Sequence, residues 1–275
     1  MATNSLAVDI VAPQIAPPPF SLLSIANVID LEDERRSSGL SFVPEGCGST
    51  EVVSICANNE LAVPTGTAGI ESFSPFGLVA ADRCSTFSFR YRDYVARATR
   101  KLIACESKLI EAELWAGDLG EENSIIASSN ADVVGGGAVD ASVALAYLEQ
   151  AIADCGCGSR MMIHLRPWLF NWLIANAHTE FRYEGNRYYT PMGHIVVPGN
   201  GYLGTGPTGQ PVASTEWMYA TGLVTAYRWP ISITPGSLAE ATERRTNTVT
   251  MYAERAAGFT WDSSCCHLAL EVNKS

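Results

Sequence analysis

The chain has 275 residues, 47% of them apolar and only 17% charged, with a formal charge of −11. That supplies core for one large domain or two smaller ones, and leaves less charged surface than a free-standing monomer usually carries, as expected where subunits bury one another. The acidity excludes a protein that grips nucleic acid by neutralising phosphates, and without a run of about 18 apolar residues a transmembrane helix is excluded as well.

The first 20 residues are poor in charge and broken by Pro13, Pro17, Pro18 and Pro19. They predict an extended arm lying on another surface, and not a helix, a central strand or a secretion signal. Without export, the eight cysteines read as reduced thiols. From 21 to 84, β-prone runs such as Ser41-Phe42-Val43 and Glu51-Val52-Val53-Ser54-Ile55 alternate with Pro44, Gly46, Gly48, Pro64, Gly66 and Gly69. That is the pattern of a long hairpin or loop excursion with little core of its own.

The strongest helical signal runs from about 88 to 116, where Tyr91, Val95, Ala98, Leu102, Cys105, Leu109 and Ala112 form one apolar seam and Ile103, Ile110 and Leu114 a second row. A helix of roughly 28 residues would be about 42 Å long, and Gly117 is placed to end it. Arg97, Arg100, Lys101, Glu106, Lys108, Glu111 and Glu113 fill the remaining surface. Glu111 and Glu113 point about 200° apart, so they do not make a catalytic carboxylate pair and read as solvated or salt-bridged. Arg90, Arg92, Arg97, Arg100 and Lys101 hold five of the eighteen cations in an otherwise acidic chain, which predicts a salt-bridge surface between subunits.

Gly135, Gly136 and Gly137 read as a linker. A second helix is predicted from about 140 to 153, N-capped by Asp140, with Val143, Ala144, Tyr147, Leu148, Ala151 and Ile152 buried. Residues 160–165 read as a strand, and Pro167 opens a helix over 168–177, where its missing N–H does no harm. The rest is strand-like at 188–190, 194–197, 216–220, 224–228, 248–252 and 266–270, giving an α+β chain with extended appendages.

Three patterns carry possible chemistry. Gly199-Asn200-Gly201-Tyr202-Leu203-Gly204 has dinucleotide-loop spacing, but Gly206, Pro207 and Gly209 would break the helix that must follow it, so it reads as a surface loop. Cys155-Gly156-Cys157 and Cys265-Cys266-His267 lack the spacing of a zinc knuckle and read as buried thiols. His164, His178, His194 and His267 each sit among apolar residues without a nucleophile motif, and read as structural. No catalytic, cofactor-binding or metal-ligating residue is assigned.

The order of segments resembles the major capsid proteins of tailed bacteriophages, the Hong Kong 97-type fold. Several phrases are similar to head proteins of actinobacterial phages: Arg97-Ala-Thr-Arg-Lys-Leu102, Glu111-Ala-Glu-Leu-Trp-Ala-Gly117, His164-Leu-Arg-Pro-Trp168, Val196-Val-Pro-Gly-Asn-Gly-Tyr202, and Arg255 ahead of a final hydrophobic strand. The resemblance implies an N-terminal arm over 1–40, an E-loop over 41–84, a peripheral domain over 85–134 and 240–275, and an axial domain over 135–239. It makes Arg97, Arg100, Lys101, Glu111, Glu113 and Trp115 of the spine helix the assembly candidates. The absence of lysine from 41–84 argues against a covalent crosslink made from that loop.

What the resemblance implies is a structural virion protein and not an enzyme. It would self-assemble into hexamers and pentamers of an icosahedral head around double-stranded DNA, touched only loosely. Scaffold, portal or decoration proteins are its further partners, with assembly in the host cytoplasm, no membrane and no cofactor. The alternatives are an encapsulin-type compartment, a head-to-tail or tail protein, and, least favoured, a Cys-His hydrolase.

Overall fold

The computed structural model describes residues 16–32, 39–44, 70–85, 93–117, 125–155, 160–207, 209, 213–263 and 266–274. After the prolines, α1 (Leu22–Ile25) and β1 (Asn27–Asp30) follow. Leu22 and Ile25 are buried in the chain's own core, and β1 pairs with a strand near residue 226. Their i, i+3 spacing places both on one side of a single helical turn. The foot of the expected excursion is the antiparallel pair β2 (Leu40–Phe42) and β3 (Glu71–Phe73), and residues 45–69 lie outside the described residues. Phe73 anchors that foot by packing on Phe259. β4 (Phe76–Ser85) then leads to the long helix α2 (Tyr94–Ala116), whose N-cap Asp93 accepts from the Ala96 N–H. As predicted, Gly117 closes the helix in the left-handed region, at φ 63°.

The buried line of α2 departs from the predicted seam. Val95, Cys105 and Leu109 are exposed, and Tyr91 lies outside the described residues. The buried residues are Tyr94, Ala98, Leu102, Glu106, Ile110 and Leu114, flanked by Ser107, Glu111, Glu113 and Trp115. A four-residue step advances about 40° beyond a full turn, so over five steps the buried line swings about 200° around the helix. The helix needs that rotation because its first half lies on one sheet, while its second half is enclosed by α1, a glycine-rich loop and a second sheet.

The presumed glycine linker belongs to a strand, β5 (Asp132–Asp140), and Asp140 caps α3 (Ala141–Cys155) by accepting from the Ser142 N–H at 2.8 Å. Ala144, Leu148 and Ile152 are buried as predicted, whereas Val143 and Tyr147 face outward. β6 (Met162–Leu165) and α4 (Pro167–Asn176) follow, with Pro167 in the first turn. Next come β7 (Arg182–Glu184), β8 (Arg187–Tyr189), β9 (Ile195–Pro198), β10 (Thr215–Thr221), β11 (Thr225–Arg228) and β12 (Ser232–Thr234). The chain ends with α5 (Leu238–Ala241), β13 (Thr242–Glu243), β14 (Thr248–Thr260) and β15 (Leu268–Asn273).

Two main sheets result. The first runs β1-β11-β14-β12, with β4 and β13 also paired to the long β14, and carries α2. The second runs β5-β15-β10-β6-β9-β8-β7. One of its faces is packed by α3 and α4, and the other by the last turns of α2. Covered on both sides, β6, β9 and β10 are buried at every residue, including the polar His164, Thr215, Glu216 and Thr221. The chain passes from the second sheet to the first at Gly222–Val224 and returns between Thr260 and Leu268. β11 and β12 thus lie in the first sheet and β15 in the second. The cysteines are not all free thiols either. Cys155 is joined to Cys266, while Cys84 and Cys105 are free.

Candidate functional site

The junction where α2 meets both sheets concentrates the buried polar groups. Glu111 is fully buried. It accepts the Leu22 N–H at 2.7 Å, the Gly201 N–H at 2.7 Å and the Ser107 hydroxyl at 3.1 Å. One carboxylate thus ties α1, the spine helix and the 199–204 loop together. Burial raises its pKa above the ordinary carboxylate value, and the donated N–H groups oppose that shift. A side chain at Gly201 would overlap the Lys108 carbonyl oxygen and lie 2.7 Å from Glu111 Cβ. The glycine spacing that resembles a dinucleotide loop is therefore a helix-docking device, and among the described residues no helix directly follows it.

Trp115, fully buried, donates its indole N–H to Thr205 Oγ1 at 2.8 Å and packs edge-on against Tyr219 and tilted against Tyr202. The Tyr202 hydroxyl meets His164 Nδ1 at 2.7 Å, and His164 Nε2 meets Thr221 Oγ1 at 2.8 Å. Burial, and then the neighbouring His267, lower the His164 pKa to about 3, so the ring is neutral at physiological pH. Burial also holds Tyr202 well above the ordinary phenol range, helped by the nearby Glu111 charge. His267 meets the Ile126 carbonyl at 2.8 Å, and His194 Nδ1 accepts the Met161 N–H at 3.3 Å. These three rings are engaged with hydroxyl and backbone groups, not with a cysteine sulfur.

The first half of α2 is fastened by charge. Arg255 grips buried Glu106 with Nη1 at 2.7 and 3.0 Å from the two oxygens. Arg228 sits 3.9 Å from the same carboxylate while clasping Asp30 of β1 at 2.9 Å. Asp82, buried on β4, pairs with Lys101 at 2.6 Å and Arg97 at 3.2 Å. Arg100 is 3.7 Å from Asp93. Arg97 and Lys101, expected on a salt-bridge surface between subunits, both pair with Asp82 in their own chain and keep 28% and 40% of their side chains exposed. Glu111 and Glu113, expected solvated or salt-bridged, are buried. Arg90 and Arg92 lie outside the described residues. The sequence did not single out Leu22, Ser107, Asp82, Thr205 or Arg228. The one available signal was Glu106 inside an otherwise apolar four-residue ladder, with Glu111 and Glu113 beside it.

Among the described residues no group of three or more His, Cys, Asp or Glu side chains is arranged to hold a metal, and no helix is long and apolar enough to cross a membrane. The arrangement is a mechanical joint: a helix fastened to two sheets through Glu106 and Glu111, whose carboxylates are met by groups from distant parts of the chain.

No family model matches the sequence, and comparison with curated proteins finds no relative. Solved structures do share the fold. The capsid of an empty GTA particle superposes with a TM-score of 0.53 at 13% identity, over 99% of this chain and 94% of that one. The holo-SrpI encapsulin complex from Synechococcus elongatus gives 0.57 at 10% identity, over 98% and 92%. Gordonia phage Cozz gives 0.54 at 10% identity, over 99% and 91%. Likeness at such low identity is a likeness of fold, and it extends over nearly the whole of each chain.

Proposed function

We propose that this chain, which has the α+β Hong Kong 97-type fold, is a major capsid protein that assembles with copies of itself into an icosahedral phage head. The observation that carries the reading is the end-to-end correspondence with shell subunits: 99% of this chain and 94% of a GTA capsid chain share one architecture. Hexamers and pentamers enclosing double-stranded DNA are its expected products, built in the host cytoplasm and carried in the virion. The acidic chain favours loose contact with packaged DNA.

The spine-helix groups take part by fixing geometry. Glu111 and Trp115 hold the joint between the sheets with Glu113 buried beside them, while Arg97 and Lys101 hold the helix to β4. Arg100, 41% exposed, is the most exposed of the three cations Arg97, Arg100 and Lys101. Val95, Ile103 and Leu109 also stand exposed on the same helix, apolar groups suited to burial against another copy. Scaffold, portal and decoration proteins are further partners in this reading.

Size-exclusion chromatography with light scattering on the purified protein tests it. Particles of several megadaltons whose absorbance ratio shows nucleic acid in DNA-filled heads are expected. A stable species near the 29.5 kDa chain mass at all concentrations, or particles filled with a protein cargo, would contradict it.

A further inference from the structure

We propose that Cys155 and Cys266 are an oxidation-dependent staple, thiols while the chain folds in the cell and a disulfide in the released particle. The inference rests on the capsid reading, which gives the chain a reducing interior before release and an oxidising medium after it. Cys155 is the last residue of α3, and Cys266 lies two residues before β15. The two are bonded, with Cα atoms 5.8 Å apart, within the span a disulfide requires without moving the backbone. The bond ties the helical layer to the second sheet close to where the chain returns from the first. Because it closes a separation of 111 residues, it restrains the unfolded chain strongly.

The exposures set the order of events. Cys155 is half-buried and Cys266 is buried. A low-molecular-weight organic disulfide therefore meets Cys155 first. The Cys155 thiolate attacks it, forming a mixed disulfide and expelling one small thiolate. The Cys266 thiolate then attacks Cys155 Sγ and expels the second. The two protons given up by the cysteines end on the two small thiols, and the small disulfide is the oxidant that is reduced. Cys84 and Cys105 stay free and serve as internal standards.

Thiol mapping of the full-length chain tests the staple. Cells would be quenched directly in acid and alkylated, and particles purified in air or treated with oxidised glutathione would be alkylated in parallel. Both cysteines should be alkylated in the quenched cells. In the particles the peptide ending at Arg160 should be linked to the one ending at Lys274, and Cys155→Ser should abolish the link. Reductant should lower the melting temperature of wild-type particles by about 5 °C or more and leave Cys155→Ser particles unmoved. A link already present in quenched cells, fully alkylatable thiols in oxidised particles, or a link that survives Cys155→Ser would overturn the proposal. The wild-type mapping decides the matter even where the variant does not fold. Particles without the link sink the staple alone, whereas a soluble chain that forms the link on oxidation but never a particle sinks the capsid reading alone.

Discussion

Replacing Gly201 with alanine perturbs the spine joint at its tightest contact. The added methyl would overlap the Lys108 carbonyl oxygen and press on Glu111 Cβ, so the loop must retreat from the helix by about 1 Å or more to reach ordinary contact distance. A retreat of that size stretches the 2.7 Å bond from the Gly201 N–H to Glu111 beyond hydrogen-bonding range. Losing a hydrogen bond to a buried carboxylate costs about 1.5–3 kcal/mol, and overpacking about 1–3 kcal/mol more. The sum, about 2.5–6 kcal/mol, is a large part of the stability of an ordinary domain. Differential scanning calorimetry should show Gly201→Ala particles melting roughly 6–15 °C below wild type. A variant that melts within about 1 °C of wild type would refute the reasoning that this glycine exists to let the loop touch the helix.

The remaining predictions follow from the same joint and its neighbours. Glu111 has a folded pKa raised by burial, so it binds its proton more tightly in the folded chain. Its contribution is therefore most favourable at acid pH and is lost as pH rises from the unfolded value of 4.5 through the raised one. Subtracting the stability-versus-pH curve of Glu111→Gln from that of wild type should expose this falling slope. His164 has the opposite sign: with its pKa lowered to about 3, its contribution is fully present above pH 6.5 and lost as pH falls toward 3. The loss is on the order of 4–5 kcal/mol, and His164→Gln should visibly soften acid unfolding followed by circular dichroism. Asp82→Asn leaves Arg97 and Lys101 without their carboxylate; since those cations are 28% and 40% exposed, a cost of about 1–3 kcal/mol is expected by chemical denaturation. Phe73→Ala should cost about 3–5 kcal/mol and make the base of the excursion the first site cut in limited proteolysis.

Local signals in the sequence were legible where a residue's role is decided by its neighbours along the chain. Gly117 ends the spine helix, Pro167 opens α4, and Ala144, Leu148 and Ile152 form the buried side of α3 because caps and helical spacing are short-range effects. The carboxylates were misjudged because their partners are remote. Leu22 and Gly201 approach Glu111 from 89 and 90 residues away, and Arg255 reaches Glu106 across 149. From sequence alone a glutamate on a helix has no such donors and belongs in water. The seven-residue seam failed for a related reason. It assumes one partner surface along the whole helix, whereas α2 changes partners midway and its buried line turns with the change. The tie between Cys155 and Cys266 was likewise hidden, because 111 residues separate them and only the folded second sheet brings them together.

Electron microscopy of the purified full-length protein in negative stain bears most directly on the central claim. Closed shells of uniform diameter are predicted. Tubes, open rings, or isolated compact molecules that stay apart at high concentration would contradict it.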